Sequence, residues 1–293
     1  MLQPKKIQIL EDQRRLLAEW KEKANIDGHQ FARFCLQDLY EWRKKVNRFV
    51  DSDPDFRDFN TYKYDTRDES RRRVNVLLAK MLKKFTFTTQ NYEKQFWKQT
   101  SIFECMASGY GEVATKIAVH CFLYAKTILT LGNESHRHFA QRAFEAKDMG
   151  CFALTEIGHG SNVQGCITTA TYDVKNQEFL INTPHERGAK FWIGNAAQTA
   201  NMSVVLANLI VLGKDYGIHC FIVPIRSDSQ ITLPGVIIND CGDKMGLHGV
   251  DNGMLMFRNY RIPRENLLDK VTQVSTEGVV SSIYANKGKR FAV

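Results

Sequence analysis

The chain has 293 residues, 43% of them apolar, which is enough to bury substantial hydrophobic cores in two domains of ordinary size. Its most apolar segments, such as residues 202–212, are far shorter than the ~18 apolar residues of a transmembrane helix, so we expect no membrane span. The net charge of +8 arises mainly in residues 1–150, which hold 27 Lys and Arg against 20 Asp and Glu. The basic runs there have acids nearby in helical patterns and lack any nucleic-acid motif, which argues against a nucleic-acid partner.

The cysteines, histidines and termini bear on the compartment and on metal binding. Seven cysteines stand singly without paired spacing, as is typical of buried thiols in a reducing compartment, so we expect no disulfide framework. His136 and His138 come near Cys151 and His159 in sequence but lack a recognised metal-ligand spacing, and we expect no metal site. The N-terminus has no apolar secretory core, and residues 290–293 are not a peroxisomal address tripeptide.

Helical periodicity dominates the chain as far as residue 150. Apolar residues recur at intervals of three and four over 74–85 and again over 114–128. Thr66 or an aspartate on either side of it is positioned to cap the first of these helices. Residues 51–55 predict a turn, because the proline within them bars helical geometry at the residue before it. This half predicts an all-α domain over residues 1–149.

Short β-branched runs separated by turn residues replace the helical pattern after residue 150. They predict strands at 167–172, 179–182, 203–212 and 219–225, with tight connections at 176–177 and 214–217. Strands with turns at this spacing are typical of a sandwich or barrel. The sequence therefore predicts an α+β chain whose β domain covers residues 150–275.

The most informative segment is 151–165, where a short apolar run opens into small, hydroxyl-bearing and glycine residues. Thr155 and Ser161 supply hydroxyls, and three glycines remove side chains where a large flat ligand approaches. The segment lacks the glycine that follows the serine in a nucleophile elbow, and it lacks the third glycine of a dinucleotide fingerprint. It predicts a polar loop beside a sheet.

A second segment, residues 190–195, contains a large aromatic surface. The indole of Trp192 can pack against another ring system, and Gly194 leaves its peptide N–H and C=O accessible. Aromatic residues in strands more often belong to a hydrophobic core, so the residues alone leave core packing and a ligand role both open.

Several separated blocks, in the right order, resemble the acyl-CoA oxidases. The blocks within 151–270 are CFALTEIGHGSNVQG, FLINTP, KFWIGNAA, HCFIVPIR and GVDNGMLMFRNYRIPRENLL. The helical part matches less distinctively, through the turn at 53–56 and ESRRRVN at 69–75. Acyl-CoA dehydrogenases share the fold, but Ile157 and Asn162 stand where they usually have a proline and an aspartate, so the resemblance is to the oxidases.

Carried over by motif, the resemblance implies an FAD site. It implies that Thr155 and Gly194 bond the flavin and that Trp192 lies along the isoalloxazine ring. Ser161 corresponds to a serine that contacts the acyl-CoA near its pantetheine or phosphate portion.

Three further ionisable residues stand near these motifs. We expect the Glu156 carboxylate to face solvent or to cap the loop. We expect His159 and His248 to be hydrogen-bonded loop residues rather than catalytic bases.

The resemblance implies an oxidase of fatty-acid β-oxidation that converts fatty acyl-CoA to trans-2-enoyl-CoA and reduces O2 to H2O2. It also implies a homodimer and a peroxisomal location, although no address tripeptide is present. In this family the catalytic glutamate lies in a helical region beyond the sheet domain, and residues 276–293 resemble only its start. We therefore assign no catalytic residue and expect a truncated chain from which the C-terminal helical domain is missing.

Two alternatives stay open at this point. One is a catalytically inactive form that binds FAD, acyl-CoA or an intact oxidase partner. The other is an acyl-CoA dehydrogenase, which passes electrons to a flavoprotein instead of to O2.

Overall fold

The structure, a computed structural model, describes residues 15–24, 26–57, 66–85, 87–90, 92 and 94–285. Its contacts divide the chain into two compact units, Met1–Val50 and Asp51–Val293. The domain boundaries expected at 149/150 and 275/276 stay predictions. Residues 286–293, the last part of the segment that resembles the start of a further helical region, lie outside the described residues.

Helices fill most of the described chain before residue 145. They are α1 (15–24), α2 (Gly28–Leu36), α3 (Leu39–Ser52), α4 (Pro54–Arg57), α5 (Arg67–Lys84), α6 (Phe96–Ala107), α7 (Gly111–Ile117), α8 (Lys126–Leu131) and α9 (Arg137–Phe144). The helix predicted over 74–85 is confirmed as part of α5, and residues 114–128 are helical but in more than one segment. Of the turn predicted at 51–55, only Asp53, the residue before the proline, lies outside a helix.

Helix α5 is capped by Thr66, one of the candidate capping residues that the sequence offered. Its hydroxyl accepts a hydrogen bond from the Glu69 amide at 3.3 Å, and the Glu69 carboxylate accepts one from the Thr66 amide at 2.8 Å. This reciprocal capping box satisfies two amides that have no partner within the helix. Asp65, the preceding candidate, lies outside the described residues.

A π-helix over Ala118–Ala125 joins α7 to α8 and turns the predicted single helix into three segments. His120 lies fully buried within it. Its Nε2–H donates to the Ala143 carbonyl at 2.8 Å, and its Nδ1 accepts from the Gly150 amide at 3.0 Å. The imidazole thus ties the π-helix to α9 and to the first strand. Helical segments of this wide type occur frequently at functional sites.

Strands dominate after residue 149. They are β1 (Gly150–Ala153), β2 (Thr169–Asp173), β3 (Glu178–Asn182), β4 (Lys190–Ile193), β5 (Met202–Val211), β6 (Lys214–Pro224), β7 (Val236–Asp240), β8 (Gly253–Phe257), β9 (Tyr260–Pro263), β10 (Thr272–Val274) and β11 (Val280–Ser282).

Strand β5 organises the six-stranded sheet, whose order is β1-β5-β2-β3-β9 with β6 also on β5. The first half of β5 pairs in parallel with β1 and its second half in parallel with β2, while β6 runs antiparallel along almost its whole length. A three-stranded sheet has the order β4-β8-β7, and β10 pairs with β11. Buried side chains from both larger sheets, among them Ile193, Phe221 and Phe257, share one hydrophobic core. The predicted fold class, a helical region followed by a β domain, is confirmed.

The connection predicted at 214–217 is wrong. Residues Lys214–Pro224 form β6, and the turn before it consists of Leu212 and Gly213, with φ values of 49° and 74°. A two-residue hairpin turn of this kind requires positive φ at both positions, and glycine supplies one of them without strain. The other connection, at 176–177, is confirmed. Among the described residues, no helix combines the length and hydrophobicity needed to cross a bilayer.

Candidate functional site

A cleft of about 460 Å³ opens between the π-helix region, the end of β1, strand β4 and the loop before β8. This volume lies in the range of sites that hold cofactors and small ligands. Most of its walls are apolar. The lining residues are Thr115, Val119, Leu123, Phe152, Leu154, Thr155, Trp192, Ile193, Gly194, Lys244, Gly246, Leu247, Val250 and Asn252.

The two segments that the sequence singled out run side by side along this cleft. The Phe191 amide donates to the Thr155 carbonyl at 3.0 Å, and the Thr155 hydroxyl donates to the Phe191 carbonyl at 2.8 Å. A further bond joins the Ile157 amide to the Ala189 carbonyl at 3.0 Å. Three of the four predicted ligand-binding residues, Thr155, Trp192 and Gly194, therefore line one cleft.

Trp192 lies in a β-bulge. The register between β4 and β8 shifts between Lys190 and Ile193, and Trp192 has a φ of 64°, in the left-handed region. Its indole is 53% exposed although it belongs to a strand, so it is not a core residue. Bulges bend a strand and redirect its side chains, and they are frequent beside active sites. Here the bulge presents a flat aromatic surface at the cleft.

Gly194 is in close contact with the π-helix. A Cβ atom at this position would lie 3.0 Å from Cγ2 of Val119, closer than ordinary van der Waals contact. The packing of the protein itself therefore requires a small residue here, whatever the cleft holds.

Ser161 is the predicted residue that the structure does not bring to the cleft. It is exposed in the turn after β1, and among the described residues its one hydrogen bond is accepted by its carbonyl from the Val163 amide at 3.0 Å. Gly158, in the same loop, is in close contact with another segment of the chain. A Cβ there would lie 2.8 Å from the Arg187 carbonyl oxygen.

Glu156 does not face solvent, and that part of the expectation is wrong. Its carboxylate is fully buried, 2.8 Å from the Nζ of Lys190, which is equally buried. It accepts hydrogen bonds from the amides of Ile167 and Thr168 and from the Thr168 hydroxyl, so it does cap the loop. Burial alone would raise the pKa of Glu156, but the Lys190 ammonium and these donors outweigh it and lower the pKa to about 2.

His159 and His248 differ in their hydrogen bonding. His159 Nε2 bonds to Glu156 at 2.9 Å, which confirms it as a hydrogen-bonded loop residue. The Nδ1 atom of His248 is buried without a hydrogen-bond partner among the described residues, contrary to the expectation.

The loop before β8 holds polar residues that sequence analysis missed. The half-buried Lys244 ammonium donates to the Leu247 carbonyl at 2.7 Å, the Val250 carbonyl at 2.5 Å and Oδ1 of Asn252 at 2.6 Å. The amide group of Asn252 in turn donates to the Trp192 carbonyl at 3.0 Å. Burial and the nearby Arg71 guanidinium lower the pKa of Lys244. In the sequence, the feature that could have indicated this role is a lysine within a glycine-rich stretch. Such a stretch is also typical of a surface loop.

A second buried ion pair fixes the helical wall of the cleft against the sheets. Lys116 of α7 and Asp251 are both fully buried, with Nζ and Oδ1 2.5 Å apart. Asp251 also accepts from the amides of Gln198 and Thr199 at 2.8 Å each. Burial would raise the pKa of Asp251, but the ammonium of Lys116 lowers it.

The described lining of the cleft contains no Asp or Glu, and the part of the chain that the structure describes holds no cluster of three potential metal ligands. No residue of the lining is therefore assigned as a catalytic acid or base.

Comparison with known proteins identifies relatives of the sequence and of the fold. The profile of the acyl-CoA dehydrogenase middle domain matches residues 151–260. Peroxisomal acyl-coenzyme A oxidase 2 of Arabidopsis thaliana is 37% identical over 92% of this chain and 40% of its own length. Human peroxisomal acyl-coenzyme A oxidase 3 is 33% identical over 94% of this chain and 40% of its own length. The chain thus spans about two fifths of these curated relatives.

Solved structures give the same result. The crystal structure of acyl-CoA oxidase 1 from Yarrowia lipolytica aligns with a TM-score of 0.80 at 30% identity, covering 91% of this chain and 39% of that one. Acyl-CoA oxidase 1 of Caenorhabditis elegans, solved with FAD and ATP, aligns with a TM-score of 0.75 at 30% identity over 88% of this chain and 39% of that one. By sequence and by fold, the chain is similar to the acyl-CoA oxidases over most of its length, as the motifs led us to expect.

Proposed function

We propose that the chain provides the flavin cradle of an FAD-dependent acyl-CoA oxidase of fatty-acid β-oxidation. The observation behind this proposal is that Thr155 lines one cleft together with Trp192 and Gly194, which lie 37 and 39 positions further along the chain. The relatives support it, because they are named acyl-coenzyme A oxidases and one was solved with FAD.

The residues present fit a flavin. The cleft is large enough for a fused ring, its walls are mostly apolar, and the exposed Trp192 indole offers a flat face for packing. The Thr155 hydroxyl donates a hydrogen bond to the Phe191 carbonyl, so the Thr155 hydroxyl oxygen can still accept a hydrogen bond from a ligand. Gly194 lines the same cleft without a side chain.

The chemistry divides between the cofactor and the protein. FAD, when bound, accepts the hydride from the β-carbon of the acyl group. The residues of this chain hold the ring through Thr155, Trp192 and Gly194 and exclude water with the apolar wall formed by Val119, Leu123 and neighbouring side chains. Removal of the α-proton requires a carboxylate base, which the described lining does not contain, so the proposal assigns no catalytic residue.

The proposal also covers the substrate, the electron acceptor, the oligomeric state and the location of the chain. Fatty acyl-CoA is the substrate, with Ser161 as a contact for its polar portion, and O2 is the acceptor. The chain acts as a homodimer in the peroxisome, the location stated in the names of the Arabidopsis and human relatives.

The purified chain, supplied with FAD and a fatty acyl-CoA, tests the function. Release of H2O2 together with enoyl-CoA supports the oxidase. Turnover with an artificial electron acceptor but not with O2 supports a dehydrogenase instead, and bound yellow flavin without turnover supports an inactive binding form. Absence of flavin binding overturns the proposal.

The role of Gly194 needs a second experiment, because Gly194→Trp would clash with Val119 even in a protein that binds no flavin. Gly194→Ala paired with Val119→Ala removes that clash, and Val119→Ala alone is the reference because Val119 also lines the cleft. If Gly194 faces the flavin, the double variant matches Val119→Ala in thermal stability but binds FAD more weakly. Equal FAD binding by the two variants shows that Gly194 serves packing alone.

A further inference from the structure

The bulge at Trp192 is a strained feature that needs an external restraint. A tryptophan with a φ of 64° occupies a region that bulky residues rarely adopt, because the side chain crowds the backbone there. The register shift also interrupts the regular pairing of β4 with β8 at this point. The conformation persists only if surrounding contacts fix it.

Those contacts form a chain of hydrogen bonds that ends on Trp192. The Lys244 ammonium donates three hydrogen bonds to neutral oxygens. Two of these acceptors are carbonyls of its own loop, and the third is Oδ1 of Asn252. Because Lys244 engages Oδ1, the Asn252 amide is oriented with its Nδ2 toward the Trp192 carbonyl, 3.0 Å away. Lys244 and Asn252 both line the cleft.

We propose that Lys244 and Asn252 are positioning residues that hold Trp192 in its left-handed conformation and so set the indole at the cleft for the flavin. The inference rests on the proposed function for the identity of the ligand, but not for the effect on Trp192. Lys244 acts through Asn252, and Asn252 acts on the main chain of Trp192.

Asn252→Asp is the most informative variant. It keeps an oxygen for Lys244 and strengthens that contact, but it replaces the donor to Trp192 with a second oxygen. Lys244→Met removes the cation from Oδ1 of Asn252, while the Leu247 and Val250 carbonyls each keep a main-chain donor, and the lost hydrogen bonds can also reduce stability. Asn239→Asp, at an exposed position of β7, is the matched control for the change of charge.

The first readout needs no ligand. Chains labelled with 5-fluorotryptophan give one 19F resonance for each of the four tryptophans, and Trp192→Phe assigns the one of interest. We expect the Trp192 resonance to move in Asn252→Asp, with the other three and the thermal midpoint unchanged, and to stay in place in Asn239→Asp. An unmoved Trp192 resonance in Asn252→Asp overturns the inference, even if Lys244→Met does not fold.

The second readout is the dissociation constant for FAD, measured by flavin fluorescence. We expect about tenfold weaker binding in Asn252→Asp, and no further loss when Trp192→Ala is added, because both changes act through the same indole. Independent, additive losses overturn the inference. If the wild-type chain binds no FAD while the Trp192 resonance still moves, the proposed function fails and the positioning role stands.

Discussion

At the scale of single residues, the charges behind the cleft are buried and paired. Glu156 directly follows the cleft-lining Thr155, and its partner Lys190 lies on the strand that is hydrogen-bonded to Thr155, so the pair stabilises the backbone from which Thr155 projects. A buried pair contributes little net stability compared with apolar residues, but loss of one partner leaves an uncompensated charge.

Lys190→Met should lower the free energy of unfolding by about 3–5 kcal/mol, because the Glu156 carboxylate then remains buried without its cation. Urea unfolding followed by circular dichroism measures this. Arg137→Met, which breaks an exposed pair with Glu134, is the control and should change stability very little. An equally small effect of Lys190→Met would contradict the importance of the pair.

His120 should make the fold sensitive to mild acid. Burial lowers the pKa of His120 from 6.5 to about 4, so the unfolded chain binds a proton more readily than the folded one. The contribution of the neutral imidazole is fully present above pH 6.5, and about 3 kcal/mol of it is lost as the pH falls toward 4.

The measurement compares the free energy of unfolding of the wild type and of His120→Asn at a series of pH values. The stability advantage of the wild type should shrink over the window from pH 6.5 to 4. His185→Asn, at an exposed position, should follow the wild type throughout. Parallel curves for the wild type and His120→Asn would show that His120 does not titrate in this window.

The residues that line the cleft were more predictable from the sequence than the residues that support them. Thr155, Trp192 and Gly194 were identified by motif, and the structure places all three on one cleft. Glu156 was not recognised as buried, since its partner Lys190 is 34 positions away and only the pairing of strands brings the two together. A single sequence does not reveal such pairing.

At the scale of elements, the ends of helices and strands were predictable where local chemistry determines them. The pattern Thr66–Glu69 forms a capping box, as hydroxyl and carboxylate residues at this spacing commonly do. The π-helix over Ala118–Ala125 was not predictable, because its apolar residues also fit an α-helix. The hairpin turn was misplaced by two residues, since Leu212 has none of the usual features of a turn residue.

Thr66→Ala should lower the free energy of unfolding by about 1 kcal/mol, because the Glu69 amide loses its acceptor at the start of α5. Thr66→Ser keeps the hydroxyl and should retain nearly all of the stability. Thermal and urea unfolding of the three chains measure the difference. Equal losses in both variants would point to the lost methyl group instead of the cap.

At the scale of the whole molecule, ligand binding and stability are linked. A ligand that binds only the folded chain raises the free energy of unfolding by about 2.7 kcal/mol when present at 100 times its dissociation constant. FAD at that ratio should therefore stabilise the wild-type chain by this amount, as measured by urea unfolding. Trp192→Ala at the same FAD concentration should gain less, and an identical gain would place the ligand elsewhere than the cleft.

The arrangement of β5 governs when the cleft can form during synthesis. β1, which carries the first wall of the cleft, pairs in parallel with residues Met202–Val205, about fifty positions further along the chain. At a translation rate of roughly 5–20 residues per second, β1 leaves the ribosome several seconds before its partner strand. Until then its apolar residues are exposed on the nascent polypeptide, and a chaperone bound there would delay maturation of the cleft more than folding of the preceding helices.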